Sequence, residues 1–261
     1  MSKNTEFVAS LKPLRSLCGA LVACFGFVTS AGAQDATQII RDVWDYWRGS
    51  SSYAEMKMTI HRPDWERSIS MRVWTKGQKQ SLVRVTAPKK DKGNSTLMDD
   101  NTMWSYSPKV NRVIRIPSSM MGQSWMGSDF SNKDVSRADD IIERYTHTLL
   151  GIEEVDGVTV YEIEAIPKED AAVVWGKEIL KVRADRVLVL EAFYDQDGLL
   201  VKSMTALEIG ERGGRTIAVR QRMQKVAAPD EWTEMEILQT DYDIELSDRL
   251  FTLSNLRNPR D

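Results

Sequence analysis

Apolar and polar residues alternate along most of the chain beyond residue 50, with the period of two that is typical of β-strands with one buried face. The segment YAEMKMTI, residues 53–60, is one example, and similar segments recur as far as EMEILQTDYDI, residues 234–244. The dipeptides Asp156-Gly157, Asp197-Gly198 and Gly213-Gly214 separate consecutive apolar runs and favour tight hairpins. The pattern predicts about ten or eleven strands in one large antiparallel sheet, in meander order and strongly curled or nearly closed.

Two segments have the helical period instead. In DATQIIRDVWDYW, residues 35–47, Asp35 can cap the first turn, and apolar residues recur on one face. The segment SRADDIIERY, Ser136 to Tyr145, predicts a second, short helix with Ser136 as its N-cap. The mainly β domain therefore opens with an amphipathic helix and is interrupted by a short one.

A methionine-rich stretch, SSMMGQSWMGSDFSNKDVS, residues 118–136, follows neither period. So much apolar area in a non-periodic loop needs a surface to cover. We predict that it is a lid, either over an apolar cavity or over the protein's own core. Its large apolar residues are Met120, Met121, Trp125, Met126 and Phe130.

Methionine is also frequent at the inward positions of the predicted strands. Because this side chain is unbranched and polarizable, it suits a surface that adapts to variable apolar shapes. The competing interpretation is that these methionines are ordinary core residues. The inward candidates are Met56, Met58, Met71, Met103, Met204, Met223 and Met235.

The first 33 residues have the order of a secretory signal peptide. A basic start is followed by an apolar run, residues 17–28, and by the small-residue pattern Ala31-x-Ala33. Twelve apolar residues are too few to span a bilayer, which needs roughly 20. We predict cleavage after Ala33, which leaves residues 34–261 as one exported domain.

Both cysteines, Cys18 and Cys24, lie in the signal segment, so the mature chain would contain none. A chain of this size can build a sufficient core without disulfides. The tetrapeptide LVAC, Leu21 to Cys24, resembles a bacterial lipobox, and lipid anchoring through Cys24 is the alternative. Soluble export is the preferred hypothesis because the apolar run continues beyond Cys24.

Charge excludes one class of function. The net charge of −3 falls to about −5 when the signal segment, with three basic residues and one acid, is removed. A mildly acidic protein with interspersed charges lacks the basic surface that nucleic acid requires.

An enzymatic site is also not predicted. The sequence GQSWMG around Ser124 lacks the spacing of a nucleophile elbow, and a serine nucleophile needs a base within reach. The two histidines, His61 and His147, lie in predicted strands. With no mature cysteine, they leave little for a metal site, and no cofactor motif occurs. We predict no catalytic residue, no metal and no cofactor.

The segment LMDDNTMWSYSPKVNRV, Leu97 to Val113, resembles the strand signature of the LolA-like family of outer-membrane lipoprotein-sorting proteins. Asp99, Trp104, Tyr106 and Pro108 match its positions. The segment GQSWMGSDFSNKDV, residues 122–135, is similar to one found in a branch of this family. LSDRLFTLSNL, Leu246 to Leu256, is similar to the family's closing strand.

This resemblance implies a half-open β-barrel of about eleven antiparallel strands, covered by an N-terminal helix and by a helix and loop lid. It implies a periplasmic carrier, monomeric, whose cavity holds the acyl chains of a lipoprotein or another lipid. An inner-membrane transporter would be the donor and an outer-membrane protein the acceptor. The candidate ligand-binding residues are Met56, Met58, Met71, Met103, Trp104, Met120, Met121, Trp125, Met126 and Phe130.

The sequence departs from the family pattern at two places. Gly77 stands where an arginine that holds the lid closed is expected, and Arg72, Arg84 and Arg115 are candidates to replace it. Asp100 replaces the usual glycine of the strand signature.

Three alternatives remain. The first is an accessory protein that docks on a membrane lipid exporter, with a filled core and no cargo. The second is an outer-membrane barrel, which is disfavoured because charges such as Glu162, Glu164, Lys177, Glu178 and Lys181 recur on the strand faces. The third is a hydrolase that uses Ser124.

Overall fold

A computed structural model describes residues 35–136, 140–171 and 173–259, which fall in one unit of the chain, 34–261. The predictions for the signal segment, namely cleavage after Ala33 and the alternative lipid anchor at Cys24, lie outside the described residues.

The described residues form thirteen β-strands in one antiparallel sheet that does not close into a barrel. Neighbouring strands are consecutive in sequence except at one place, where the first strand pairs with the last. The two edge strands, β6 and β7, are therefore also consecutive. The strands are β1 Ser51–Arg62, β2 Trp65–Lys76, β3 Gln80–Ala87, β4 Ser95–Asp99, β5 Thr102–Ser107, β6 Arg112–Arg115, β7 Tyr145–Val155, β8 Val158–Pro167, β9 Lys177–Arg183, β10 Leu188–Tyr194, β11 Leu200–Arg212, β12 Arg215–Lys225 and β13 Trp232–Tyr242.

This architecture confirms the predicted half-open barrel, although there are more strands than the eleven expected. Strands β4, β5 and β6 have only five, six and four residues, too few for an alternating pattern to be distinct. Because β6 and β7 are opposite edges of the sheet, the chain between them must cross the open side of the barrel. The position of the lid is thus a consequence of strand order.

The hairpin predictions are confirmed. Asp156 and Gly157 have φ values of 52° and 77°, and Gly213 and Gly214 have 57° and 74°. Two successive positive φ values are what a type I′ turn requires. Asp100, in the place of a family glycine, has φ 52° between β4 and β5. Aspartate tolerates this left-handed conformation better than most residues, so the turn is retained without glycine.

Four α-helices occur in the described residues: α1 Ala36–Arg48, α2 Asn132–Ser136, α3 Asp140–Glu143 and α4 Leu253–Arg257. The predicted helix α1 is confirmed, and the Asp35 side chain accepts a hydrogen bond from the Thr37 N–H at its start. Helix α1 packs on the inner face of β7 to β9, where Ile40 and Trp44 join Ile163 and Leu180 in one cluster. At its other end the Arg48 guanidinium donates to the Gly77 carbonyl, so α1 bridges two distant parts of the sheet.

The helix predicted from Ser136 to Tyr145 is confirmed only in part, by the helical residues of α3 within that span, and its predicted start at Ser136 is wrong. Ser136 is the last residue of α2, α3 is a single turn, and Tyr145 begins β7. The helical turn starts earlier because Ser131 caps it: the Asp134 N–H donates to the Ser131 hydroxyl, and the Ser131 N–H donates to the Asp134 carboxylate. This is the reciprocal arrangement of a capping box.

The predicted closing strand, Leu246 to Leu256, is also wrong. The segment forms a 3₁₀ turn, Asp248–Phe251, followed by α4. Ser247 and Thr252 each accept a hydrogen bond from a backbone N–H two or three residues ahead, which favours helical turns over a strand. Phe251 and Leu256 pack with Leu82 and Leu97 on the outer face of the sheet, forming a second core behind β2 to β5.

Candidate ligand-binding cavity

A cavity of about 290 Å³ lies between the concave face of the sheet, helix α1 and the lid loop, which we define as residues 118–136. Its walls are mainly apolar. Alternation in the strands puts every second side chain on the concave face, and α1 presents its apolar stripe to the same space. Prominent wall residues are Val43, Trp44, Val73, Val83, Ile217 and Ile237.

The structure separates the ten candidate ligand-binding residues into three groups. Four line the cavity: Met56, Met71, Trp125 and Phe130. Another five lie in or near the lid: Met58 and Met103 are buried beneath it, Met121 and Met126 pack on that cluster, and Met120 is partly buried. Trp104 packs against the outer core instead, because its strand partner Leu97 belongs to that face. The lid therefore covers both the protein's own core and the cavity.

The lid loop is held at its tip by Asp129, whose side chain is 1% exposed. The Arg62 guanidinium at the end of β1 makes two hydrogen bonds to this carboxylate, at 3.0 and 3.2 Å. The Thr233 hydroxyl donates a third at 2.7 Å, and its oxygen accepts from the Asp129 N–H at 3.0 Å. A fully buried carboxylate with this many donors fixes the position of the loop around it.

A second attachment lies at the base of the lid loop, in α2. The Asp134 carboxylate and the Lys202 ammonium of β11 form a hydrogen-bonded ion pair, with side-chain exposures of 10% and 5%. The Trp125 indole N–H donates to the Thr96 hydroxyl at 3.1 Å, which seats the aromatic ring against β4. Buried polar contacts thus fix the lid loop at Trp125, Asp129 and Asp134.

The arginine that holds the lid was not found from the sequence. Arg72 pairs with Glu55 on exposed strand faces, and Arg84 donates to the Asn255 carbonyl in the outer core. Arg62 occupies the role instead. It precedes the β1–β2 turn, far in sequence from Asp129, and no local spacing connects the two residues.

One end of the cavity is polar. The Tyr145 hydroxyl donates to the Glu178 carboxylate at 2.6 Å, and Glu178 is hydrogen-bonded to Glu191 on the next strand. Burial raises the pKa of Glu178 to about 7 and holds the pKa of Glu191 well above its usual range. Two adjacent buried carboxyl groups favour a shared proton, because both cannot ionise cheaply in the same small space.

The buried Glu178 carboxyl predicts a pH dependence of stability that Glu178→Gln should largely remove. Carboxyl groups of the unfolded chain titrate near 4.5, whereas Glu178 titrates at about 7 in the folded protein. Between these values the folded state binds more protons, so the pair lowers the free energy of unfolding as pH rises. One pKa unit corresponds to about 1.4 kcal/mol, so the shift from 4.5 to about 7 should contribute about 3–4 kcal/mol.

Urea unfolding of wild type and variant at a series of pH values tests this. The free energy of unfolding of the variant, relative to that of wild type, should increase from about pH 4.5 to about pH 7. This window is set by the Glu178 pKa. The matched control is Glu169→Gln, an exposed carboxylate in the loop after β8, which should track wild type. A constant difference in free energy of unfolding between Glu178→Gln and wild type would contradict the assignment.

Ser124 has a structural partner within the lid loop. Its hydroxyl donates to the Ser128 carbonyl at 2.5 Å. His147 has one ring nitrogen 2.8 Å from the Ile141 carbonyl and the other 3.1 Å from the Thr37 hydroxyl. His61 stacks on Trp232, with ring centroids 4.7 Å apart.

Within residues 35–136, 140–171 and 173–259, no group of three potential ligand side chains is arranged to hold a metal ion. No helix of this described part is both long and apolar enough to cross a membrane.

Three solved structures share this fold. A DUF1329 family protein from Desulfovibrio piger is 26% identical, with a TM-score of 0.77 over 85% of this chain and 97% of the other. A putative outer membrane lipoprotein-sorting protein domain from Vibrio parahaemolyticus is 23% identical, with a TM-score of 0.75 over 85% and 98%. A LolA superfamily protein from Nitrosomonas europaea is 23% identical, with a TM-score of 0.71 over 85% and 99%.

The chain therefore shares its fold with LolA-like structures, and this is the fold that the resemblance of residues 97–113 implied. A family model described as "-like: Uncharacterized protein" matches residues 77–258, more than half of the chain, and the chain belongs to that family. A search of curated proteins gives no significant match.

Proposed function

We propose that this protein is a periplasmic carrier that holds the acyl chains of a lipoprotein or another lipid between the concave face of the sheet and the lid loop. The observation that carries the proposal is the mainly apolar cavity under an attached lid. In such a space each buried methylene contributes about 0.8 kcal/mol, so one long chain would be held firmly.

The proposal includes no reaction. The carrier takes its cargo from a donor at the inner membrane, such as a transporter, and passes it to an acceptor at the outer membrane, as a monomer. Release requires the lid loop to open or the acceptor to offer a better apolar site. The docking-scaffold alternative requires a filled core, so the open space beside Met56 and Met71 favours the carrier.

Quenching of tryptophan fluorescence by a brominated acyl chain tests cargo binding. Bromine quenches an indole only at close range, and Trp44, Trp47 and Trp125 line the cavity. We expect saturable quenching that is smaller in Trp47→Phe. The matched control is Trp65→Phe on the β1–β2 hairpin, because Trp65 is 49% and Trp47 40% exposed. Absence of quenching, or an equal loss in both variants, would overturn the proposal.

A further inference from the structure

The polar end of the cavity places acidic side chains where an apolar ligand would end. Glu178 of β9, Glu191 of β10 and Tyr145 of β7 all line the cavity. Their strand positions explain this, because Glu191 is the register partner of Leu180, an inner-face residue. Glu178 shares the inner face with Leu180, two residues further along β9. Glu178 and Glu191 therefore occupy inner-face positions at which the alternation of the strands predicts apolar residues.

These carboxyl groups are deeply enclosed. Glu178 is only 4% exposed, and Glu191 is partly buried and lines the cavity. Glu178 accepts a hydrogen bond from Tyr145 and shares another with Glu191, whereas a carboxylate can accept about four. Buried carboxyl groups with unused acceptor capacity are costly unless a donor or a positive charge meets them. A ligand head group in the cavity is in a position to do so.

The same region already holds an ammonium group of the protein. The Lys202 ammonium bonds to Asp134 and lies 4.9 Å from the ring centroid of Phe193 and 5.2 Å from that of Trp175. A carboxylate and aromatic faces together attract an ammonium group, through ion pairing and cation–π interaction. Phe193 and Trp175 also line the cavity, so the aromatic faces extend toward Glu178 and Glu191.

The balance of charge at this end is acidic. The ionisable groups that face the cavity here are Lys133 and Asp134 of α2, Asp140 of α3, and Tyr145, Glu178 and Glu191 of the sheet. Lys202 neutralises Asp134, and Arg144 pairs with Asp140. The Glu178 and Glu191 pair thus contributes negative charge beyond these two ion pairs. The other cations of the cavity lining are Lys133, Arg48 and Arg186.

We propose that the polar end of the cavity binds the protonated amine head group of a single-chain amphiphile or of a lipid, with Glu178 and Glu191 as acceptors and the chain along the apolar wall. This assignment rests on the proposed carrier function and names its ligand class. An alcohol head gives hydrogen bonds but no charge attraction. A carboxylate head repels the pair, so it binds weakest of the three.

Three probes of equal chain length test the assignment: dodecylammonium, dodecanol and dodecanoate, each below its micelle concentration, displacing a neutral fluorescent probe at pH 8. Charge-assisted hydrogen bonds are roughly twice as strong as neutral ones, so the amine should bind at least about tenfold more tightly than the carboxylate. The amine preference should weaken toward pH 6, because burial places the pKa of Glu178 at about 7.

The variant Glu191→Gln should reduce dodecylammonium affinity by about tenfold while leaving dodecanol within about twofold. Glu178→Gln serves if Glu191→Gln does not fold, and Glu169→Gln is the surface control. Equal binding of the three probes by wild type, tighter binding of dodecanoate, or an equal loss for all three in the variant would overturn the amine site. Binding of none of them would overturn the carrier function itself, so the two failures are distinguishable.

Discussion

The variant Arg62→Ala should expose the lid loop to amide hydrogen exchange while the sheet stays protected. Removing this guanidinium leaves the Asp129 carboxylate, 1% exposed, with the Thr233 hydroxyl and with Lys225 at 3.5 Å. Breaking a buried ion pair by deleting one partner costs about 3–5 kcal/mol. The lid amides of Trp125 and Asn132, which bond within the loop, should then exchange at least about 100-fold faster.

Arg72→Ala is the matched control for this experiment. Its partner is Glu55, and both side chains are more than 40% exposed, so loss of the pair should change stability by less than about 1 kcal/mol. The double variant Arg62→Ala/Asp129→Asn should recover part of the protection, because it removes the unpaired charge. Lid exchange like that of wild type, or an equal acceleration throughout the sheet, would contradict the attachment of the lid through Arg62.

The variant Ala54→Trp should abolish most cargo binding without unfolding the protein. Ala54 lies on β1, lines the cavity and is only partly buried, so a larger side chain has empty space to enter. An indole that displaces about four methylenes of a bound chain would remove about 3 kcal/mol, or about 100-fold in affinity. Titration with the brominated acyl chain measures the loss, and a urea unfolding curve checks the fold.

Thr59→Trp provides the control on the same strand. Thr59 alternates with the buried residues Met58 and Ile60 and faces the outer side of the sheet. It should retain wild-type affinity although it carries the same added bulk. A folded Ala54→Trp protein that binds the acyl chain as tightly as wild type would place the cargo elsewhere.

The sheet could be predicted because most of its strands show the alternation of apolar and polar residues within their own sequence. Alternation gave the long strands, and glycine dipeptides gave the hairpins at Gly157 and Gly214. The two errors concern short helical turns, at Ser131 and at Thr252, where a side chain that caps the backbone outweighs the pattern of apolar residues. Such caps depend on local geometry that a search for periodic patterns does not detect.

The contents of the cavity were predictable only in part. The alternation of β9 indicated that Glu178 faces inward. Glu178 lies two residues before Leu180 and four before Val182, so it shares their face of the strand, and both are fully buried. The charge of Glu178 nevertheless predicted an outward position, as for Lys177 and Lys181. The position of Trp104 depends on its pairing with Leu97, and the contact between Arg62 and Asp129 depends on the path of the lid across the open side. Both follow from the assembled sheet and not from any local pattern.

Native mass spectrometry of the protein, purified from a periplasmic extract without detergent, tests the central claim most directly. The account predicts a releasable adduct of lipid mass on the wild-type protein, retained in Thr59→Trp and lost in Ala54→Trp. The spectrum also gives the mass of the mature chain, and hence whether it begins at Gln34 or at a lipidated Cys24. A bare polypeptide mass, with no uptake of added lipid, would contradict the carrier function and favour a docking protein with no cargo.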